Sequence, residues 1–219
     1  MNNGFLLKVF TSLTFVFLVI LRCAGTHQEK LEDWVDIRMA SMNLEQKIGQ
    51  MMVYDYTPHF FNENDPDFQK IVHIIRDYQV GGIIIWRGNP YATARSIERF
   101  QSISRIPLLV MADMEWGTPM RINEGTNFPT NMAIGATGSE EYAYLMGEIC
   151  AEEATAAGIH VNFAPVMDVN NNPDNIIINT RSYGENPDLV SRLGAAFIRG
   201  TQEHGLIATA KHYPGHGDT

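Results

Sequence analysis

The 219 residues, 45% hydrophobic and 19% charged, are those of an ordinary globular domain with a sizeable core. A formal net charge of −9, with acidic and basic residues mixed along the chain, leaves no basic tract for nucleic acid. No internal repeat, low-complexity tract or long Pro/Ser-rich linker interrupts the chain, so one domain is expected after an export segment.

Residues 1–23 read as a signal peptide. Lys8 precedes an apolar run from Val9 to Leu21, interrupted only by Thr11, Ser12 and Thr14, and small residues follow at Ala24 and Gly25. The run is shorter than the ~20 residues of a membrane span, with a one-pass anchor as the alternative. Cys23 stands where a bacterial lipoprotein signal places its lipidated cysteine, although Arg22 departs from the small residue expected before it; ordinary cleavage nearby is the other option. The expected location is therefore outside the cytoplasm, periplasmic or on the outer surface, with Cys23 as the candidate anchor. Cys150 is the only other cysteine and sits in an apolar helical pattern, which predicts a buried small hydrophobe.

From there helical periods alternate with short apolar strands. Asn43 followed three residues later by Gln46 predicts a capped helix start, and an early strand is expected near Met51–Val53. Asp65-Pro66-Asp67 opens a second helix, with Phe68, Ile71, Val72 and Ile75 at helical spacing. Ile83-Ile84-Ile85-Trp86 reads as a buried strand. A helix from about Tyr91 to Ser104 precedes the strand Leu108–Met111. Tyr142, Leu145, Met146 and Ile149 form another stripe before Val161–Ala164, and Asn186-Pro187-Asp188 opens a helix that closes near Gly205, ahead of Leu206–Ala210.

Five strands separated by helices predict an α/β fold with a parallel sheet. A doubly wound sheet and an eight-stranded (β/α)8 TIM-type barrel compete. No glycine-rich phosphate turn follows the first strand, and polar residues gather at successive strand ends, at Asp113, Asp168 and Lys211-His212. The barrel is preferred. It is expected to be incomplete, about five of eight strands being visible.

Three clusters carry the chemistry. Asp113, directly after a strand, can accept two sugar hydroxyls or pair with Arg121. Residues 163–184 form a long polar loop in which Arg181 can fork onto a ligand oxygen or staple the loop to Asp168 or Glu185, and Asp168 reads as structural. The run from Lys211 to Thr219, Lys-His-Tyr-Pro-Gly-His-Gly-Asp-Thr, is the most specific. His212, His216 and Asp218 match no usual zinc spacing, so no metal and no cofactor is expected. A Schiff-base role for Lys211 has no neighbour to activate it.

These blocks resemble glycoside hydrolase family 3, in its β-N-acetylhexosaminidase branch. The resemblance rests on Leu44–Met51, Asp113–Gly117, Asn162–Asn170, Thr180–Pro187 and Lys211–Thr219, in family order; β-glucosidases of the family lack the Pro-Gly-His-Gly-Asp-Thr continuation. One departure is Trp116-Gly117-Thr118-Pro119-Met120, where the family usually carries two glycines and a valine. The resemblance implies that residues 24–219 are the N-terminal part of the catalytic barrel. It implies that Asp113, Arg121, Arg181, Lys211 and His212 bind the non-reducing N-acetylglucosamine, with Trp116 or Tyr183 stacking on the sugar or merely packing. It also implies an exo-acting retaining mechanism whose nucleophilic Asp and acid/base His lie after Thr219, so no catalytic residue is expected in this chain and a fragment alone is expected to be inactive. His216 is expected to shape the Pro-Gly turn. The expected partner is a carbohydrate with terminal N-acetylhexosamine. A family 3 β-glucosidase, or a non-catalytic sugar-binding protein, are the alternatives.

Overall fold

A computed structural model describes residues 33–218, in two compact units that divide between Lys47 and Ile48. The expected signal peptide and Cys23 lie outside the described residues. In the first unit residues 33–41 are helical. Asn43 then accepts the Gln46 amide on Oδ1 at 2.8 Å, while Gln46 Oε1 accepts the Asn43 amide at 2.9 Å. This is the reciprocal capping box read from the sequence, and it opens α1 (Leu44–Gln50).

Five parallel strands follow: β1 (Val53–Tyr56), β2 (Gly82–Ile85), β3 (Leu109–Ala112), β4 (Val161–Asn162) and β5 (Ile207–Ala208). Between them run α2 (Pro66–His73), α3 (Pro90–Ile103), α4 (Asn131–Thr137), α5 (Glu140–Ala156) and α6 (Pro187–Glu203). Two of their N-caps are those the sequence announces. Asp65 Oδ1 accepts the amides of Asp67 and Phe68 at 2.9 and 3.2 Å, and Asn186 Oδ1 accepts those of Asp188 and Leu189 at 2.8 and 3.1 Å. Each satisfies amides that the first helical turn leaves unpaired.

Strand order decides between the two competing sheets. A doubly wound sheet reverses its order at a switch point, whereas here the order is β1-β2-β3-β4-β5, each strand joining the edge left by the one before. That is the wall of a (β/α)8-type barrel. Among the described residues β1 and β5 do not pair, so the wall is open. Alternation along the strands separates its two faces. Ile83, Ile85, Val110 and Ala112 are buried against α2, α3 and α5, in a core with Phe68, Ile71, Phe100 and Cys150. On the other face Val53, Leu109 and Ile207 stay 44%, 46% and 52% exposed. A second cluster, of Ile134, Met146, Leu193, Phe197 and Tyr183, joins α4, α5 and α6.

Two expectations shift, and one helix is new. The first strand begins at Val53 rather than Met51, because Met51 and Met52 close α1 with bonds to Ile48 and Gly49. The last two strands are only two residues long, although their pairing resumes where Val166 meets Lys211. The short helix α4 has a weak sequence signal, since Gly135 lies within it. That glycine is there for contact: a Cβ would collide with the Tyr183 carbonyl oxygen.

Candidate functional site

The polar side chains singled out from the sequence stand just beyond the C-terminal ends of the strands. Asp113 immediately follows β3; Arg121 follows a 3-10 turn at Thr118–Met120. Arg181 ends a second such turn, Asn179–Arg181, in the long loop after β4, and Lys211-His212 come shortly after β5.

Four of them join one chain of charges. Lys211 Nζ donates to Asp113 Oδ1 at 2.8 Å and lies 2.7 Å from Glu115 Oε1. Arg181 forks onto the same Glu115, Nε to Oε2 at 2.9 Å and Nη2 to Oε1 at 2.7 Å. Arg121 Nη2 stands 3.4 Å from Asp113 Oδ2, with its guanidinium 4.8 Å above the Trp86 ring. The two acids differ in burial: the Asp113 side chain is 18% exposed, that of Glu115 only 1%. Asp113 can therefore exchange partners with a ligand, while Glu115 is a fixed internal counter-charge.

Glu115 falls within the Asp113–Gly117 motif with no role assigned from the sequence, where Arg181 has two readings, a fork onto a ligand oxygen or a staple to Asp168 or Glu185. It pairs with Glu115 instead, because Asn131 Nδ2 holds the Arg181 carbonyl at 2.7 Å and aims its side chain toward the end of β3. Burial pushes the Glu115 carboxyl up, but the hydrogen bonds and charges of Arg181 and Lys211 outweigh it and hold the group below the ordinary glutamate value.

His212 belongs to a neighbouring arrangement. Its Nδ1 lies 2.5 Å from Asp168 Oδ2, and its backbone amide donates to the same oxygen at 3.2 Å. Asp168 Oδ1 accepts the His216 amide at 2.5 Å. At His216 the backbone carbonyl accepts from Asn175 Nδ2 at 2.7 Å. Gly217 passes so close to Val169 that a Cβ would collide with its carbonyl oxygen. Asp168, His212, Pro214, Gly215 and Asp218 line a cavity of about 380 Å³.

Of the two aromatic candidates, Trp116 is half-buried. Tyr183 is 1% exposed and packs in the α4–α6 cluster, so it presents no face to a ligand. Trp86, read as the end of a strand, lies just past β2 and is 41% exposed beneath Arg121. Its indole is the available apolar surface beside the charges. Thr118, at the departure from the usual glycines, ties the loop after β3 to α5 through Glu153, which also accepts the Thr126 amide at 2.9 Å. Cys150 is buried, its thiol pushed up to about 12 by burial, as befits a packing residue. Among the described residues one group of metal-ligating atoms comes together, on Glu148, Glu152 and His204, and it includes none of the strand-end side chains.

Acid should loosen this site. Burial raises the Glu153 carboxyl too, but its bonds from Thr118 and Thr126 prevail, so Glu115 and Glu153 both titrate lower folded than unfolded. Their stabilisation is complete above the unfolded glutamate value near 4.5 and is lost as pH falls through the lower folded values. Denaturation midpoints measured from pH 6 down to about pH 3 are expected to fall less steeply in Glu115→Gln than in the unmodified protein. Parallel curves would refute the linkage.

A parallel barrel wall with hydrogen-bonding side chains gathered at its C-terminal rim is the architecture of a barrel enzyme. The chain belongs to glycoside hydrolase family 3: the family's N-terminal domain matches residues 43–219. It is 34% identical over 201 residues to beta-hexosaminidase A of Pseudoalteromonas piscicida, covering 81% of this chain and 34% of that protein. It is 34% identical over 185 residues to the beta-N-acetylglucosaminidase/beta-glucosidase of Cellulomonas fimi, covering 84% and 31%. Among solved structures it resembles the family 3 beta-N-acetylglucosaminidase of Paenibacillus sp. str. FPU-7, with 41% identity and a TM-score of 0.74 over 82% of this chain and 34% of that one. The chain thus spans about a third of the length of these relatives.

Proposed function

We propose that this chain carries the sugar-binding part of an exported, exo-acting retaining glycosidase that hydrolyses terminal non-reducing β-N-acetylhexosamine. The observation that carries the reading is the Arg121–Asp113–Lys211–Glu115–Arg181 chain of charges at the strand ends. A sugar is neutral and rich in hydroxyls, so its site needs acceptors and donors held firmly in place. Asp113 accepts hydroxyl protons; Arg121, Arg181 and Lys211 donate; His212 completes the pocket. Relatives named for hexosaminidase activity support the N-acetylhexosamine substrate.

Bond cleavage needs a nucleophilic carboxylate and a separate acid/base. The family resemblance assigns these to an Asp and a His C-terminal to Thr219, leaving binding and orientation to the residues described here. Export by residues 1–23, with or without lipid attachment at Cys23, belongs to the same proposal and is read from the sequence pattern.

The test is to assay the full-length protein on paired aryl β-N-acetylglucosaminide and aryl β-glucoside. Preferential hydrolysis of the first is expected. The dual name of the Cellulomonas fimi relative favours β-glucosidase as the second reading, and activity on the glucoside alone would establish it in place of the first. Sugar binding without hydrolysis of either would make the protein a non-catalytic binder.

A further inference from the structure

We propose that Asp168 is a positioning residue that fixes His212 as the tautomer protonated on Nδ1, so that the nitrogen offered to the sugar, Nε2, is a hydrogen-bond acceptor. The inference rests on the sugar-site reading above and adds which hydroxyl chemistry this histidine selects.

The Asp168 side chain is 0% exposed and three nitrogens converge on it. Two are backbone amides, of His212 on Oδ2 at 3.2 Å and of His216 on Oδ1 at 2.5 Å, and a backbone amide can only donate. The third is His212 Nδ1, 2.5 Å from Oδ2. A carboxylate held by two donated bonds is an acceptor, so Nδ1 carries the proton. In the neutral imidazole Nε2, on the opposite edge of the ring, is then the lone-pair nitrogen.

The surroundings leave this geometry little freedom. Asp168 is held by its own carbonyl, which accepts the Ser182 hydroxyl at 2.6 Å. Lys211, preceding the histidine, is clamped at both backbone groups, its amide to Pro165 at 3.0 Å and its carbonyl to Met167 at 2.5 Å. The His216 ring stands edge-on to His212, with centroids 5.8 Å apart and planes at 86°.

The consequence is a division of labour across the rim. Lys211, Arg121 and Arg181 can only donate to a sugar, so hydroxyls facing them serve as acceptors. The hydroxyl that faces His212 must instead donate. A site built to receive a hydroxyl proton discriminates strongly against a group that has none.

Two measurements on the full-length protein test this. In the first, nitrogen-15 histidine spectra are recorded near pH 7.5, with the His212 signals assigned by their loss in His212→Ala. A proton on Nδ1 and none on Nε2 is expected; a proton on Nε2, alone or with one on Nδ1, overturns the proposal. In the second, binding is measured for N-acetylglucosamine and for analogues with fluorine replacing the 3-, 4- or 6-hydroxyl in turn, since fluorine cannot donate. Each analogue whose lost hydroxyl donates to Asp113 or to His212 is expected to bind about tenfold more weakly or worse, and in Asp168→Asn the penalty at one position should shrink to about twofold while the penalties at the others persist. Equal weakening of every ligand would mean that Asp168 only supports the fold, and would overturn the role. If Asp168→Asn does not fold, His212→Ala serves: the position-specific penalty must vanish there, and its persistence also overturns the role. Failure of the unmodified protein to bind any of these sugars sinks the sugar-site reading, while the tautomer measurement still decides what Asp168 does to His212.

Discussion

Glu115→Gln is expected to lower the melting temperature of the protein by about 5–10 °C at neutral pH. Glutamine matches the shape of glutamate but brings an amide donor against two cations. One of the two acceptor oxygens becomes a donor, so Arg181 keeps at most one of its two bonds, and the negative charge that Arg181 and Lys211 share at this position is gone. Removing one partner from a buried ion pair costs about 3–5 kcal/mol. Here the lower end or slightly below, about 2–3 kcal/mol, is appropriate, because the Arg181 side chain is 26% exposed and water screens part of the loss. A double variant with Arg181→Gln should be less unstable than the two losses summed, since it also removes a stranded cation. Thermal unfolding of the four proteins checks this. A melting temperature for Glu115→Gln within about 1 °C of the unmodified protein would show that the buried carboxylate is not the anchor described.

Asp113→Ala should do the reverse, costing activity rather than stability. The Asp113 carboxylate is 18% exposed, and the Lys211 ammonium it releases keeps Glu115 at 2.7 Å. Two sugar hydroxyls donating to one carboxylate are charge-assisted bonds, each contributing about 1.5–3 kcal/mol. Their loss corresponds to a fall of about a thousandfold in kcat/KM on an aryl N-acetylglucosaminide, with the melting temperature lowered by no more than about 3 °C. Steady-state kinetics together with the melt separate the two acids. Asp113→Ala within about threefold of the unmodified kcat/KM would remove it from the sugar site.

The contrast between Asp113 and Glu115 shows how much of the site was legible in the sequence. Both acids stand after an apolar strand in one short motif, and nothing local distinguishes the exposed one from the buried one. The difference arises from Arg181, 66 positions further along, and Lys211, 98 positions from Asp113, which approach only when β3, β4 and β5 lie side by side. Asp168 is a parallel case. It looks structural in the sequence, and only the return of the chain after β5 sets His212 against it. Trp86 was hidden differently: it extends an isoleucine run, so it passes as the last residue of a buried strand until β2 is seen to end at Ile85.

The helices were largely readable, because capping is local chemistry. Asn43, Asp65 and Asn186 each cap within three residues, and each does so where the sequence indicated. Strand existence was readable from β-branched runs, but strand length was not, since β4 and β5 end where the backbone turns its bonds to neighbouring loops.

By itself, then, the sequence determined the alternation of helix and strand, the helix starts, and the set of polar residues at strand ends. Those features depend on neighbours a few positions away. Tertiary structure decided the order β1-β2-β3-β4-β5, the pairing of Arg181 with Glu115, and the orientation of His212 by Asp168. Each of these joins groups distant along the chain, and their energies depend on burial and on partners that come together only once the parallel wall has formed.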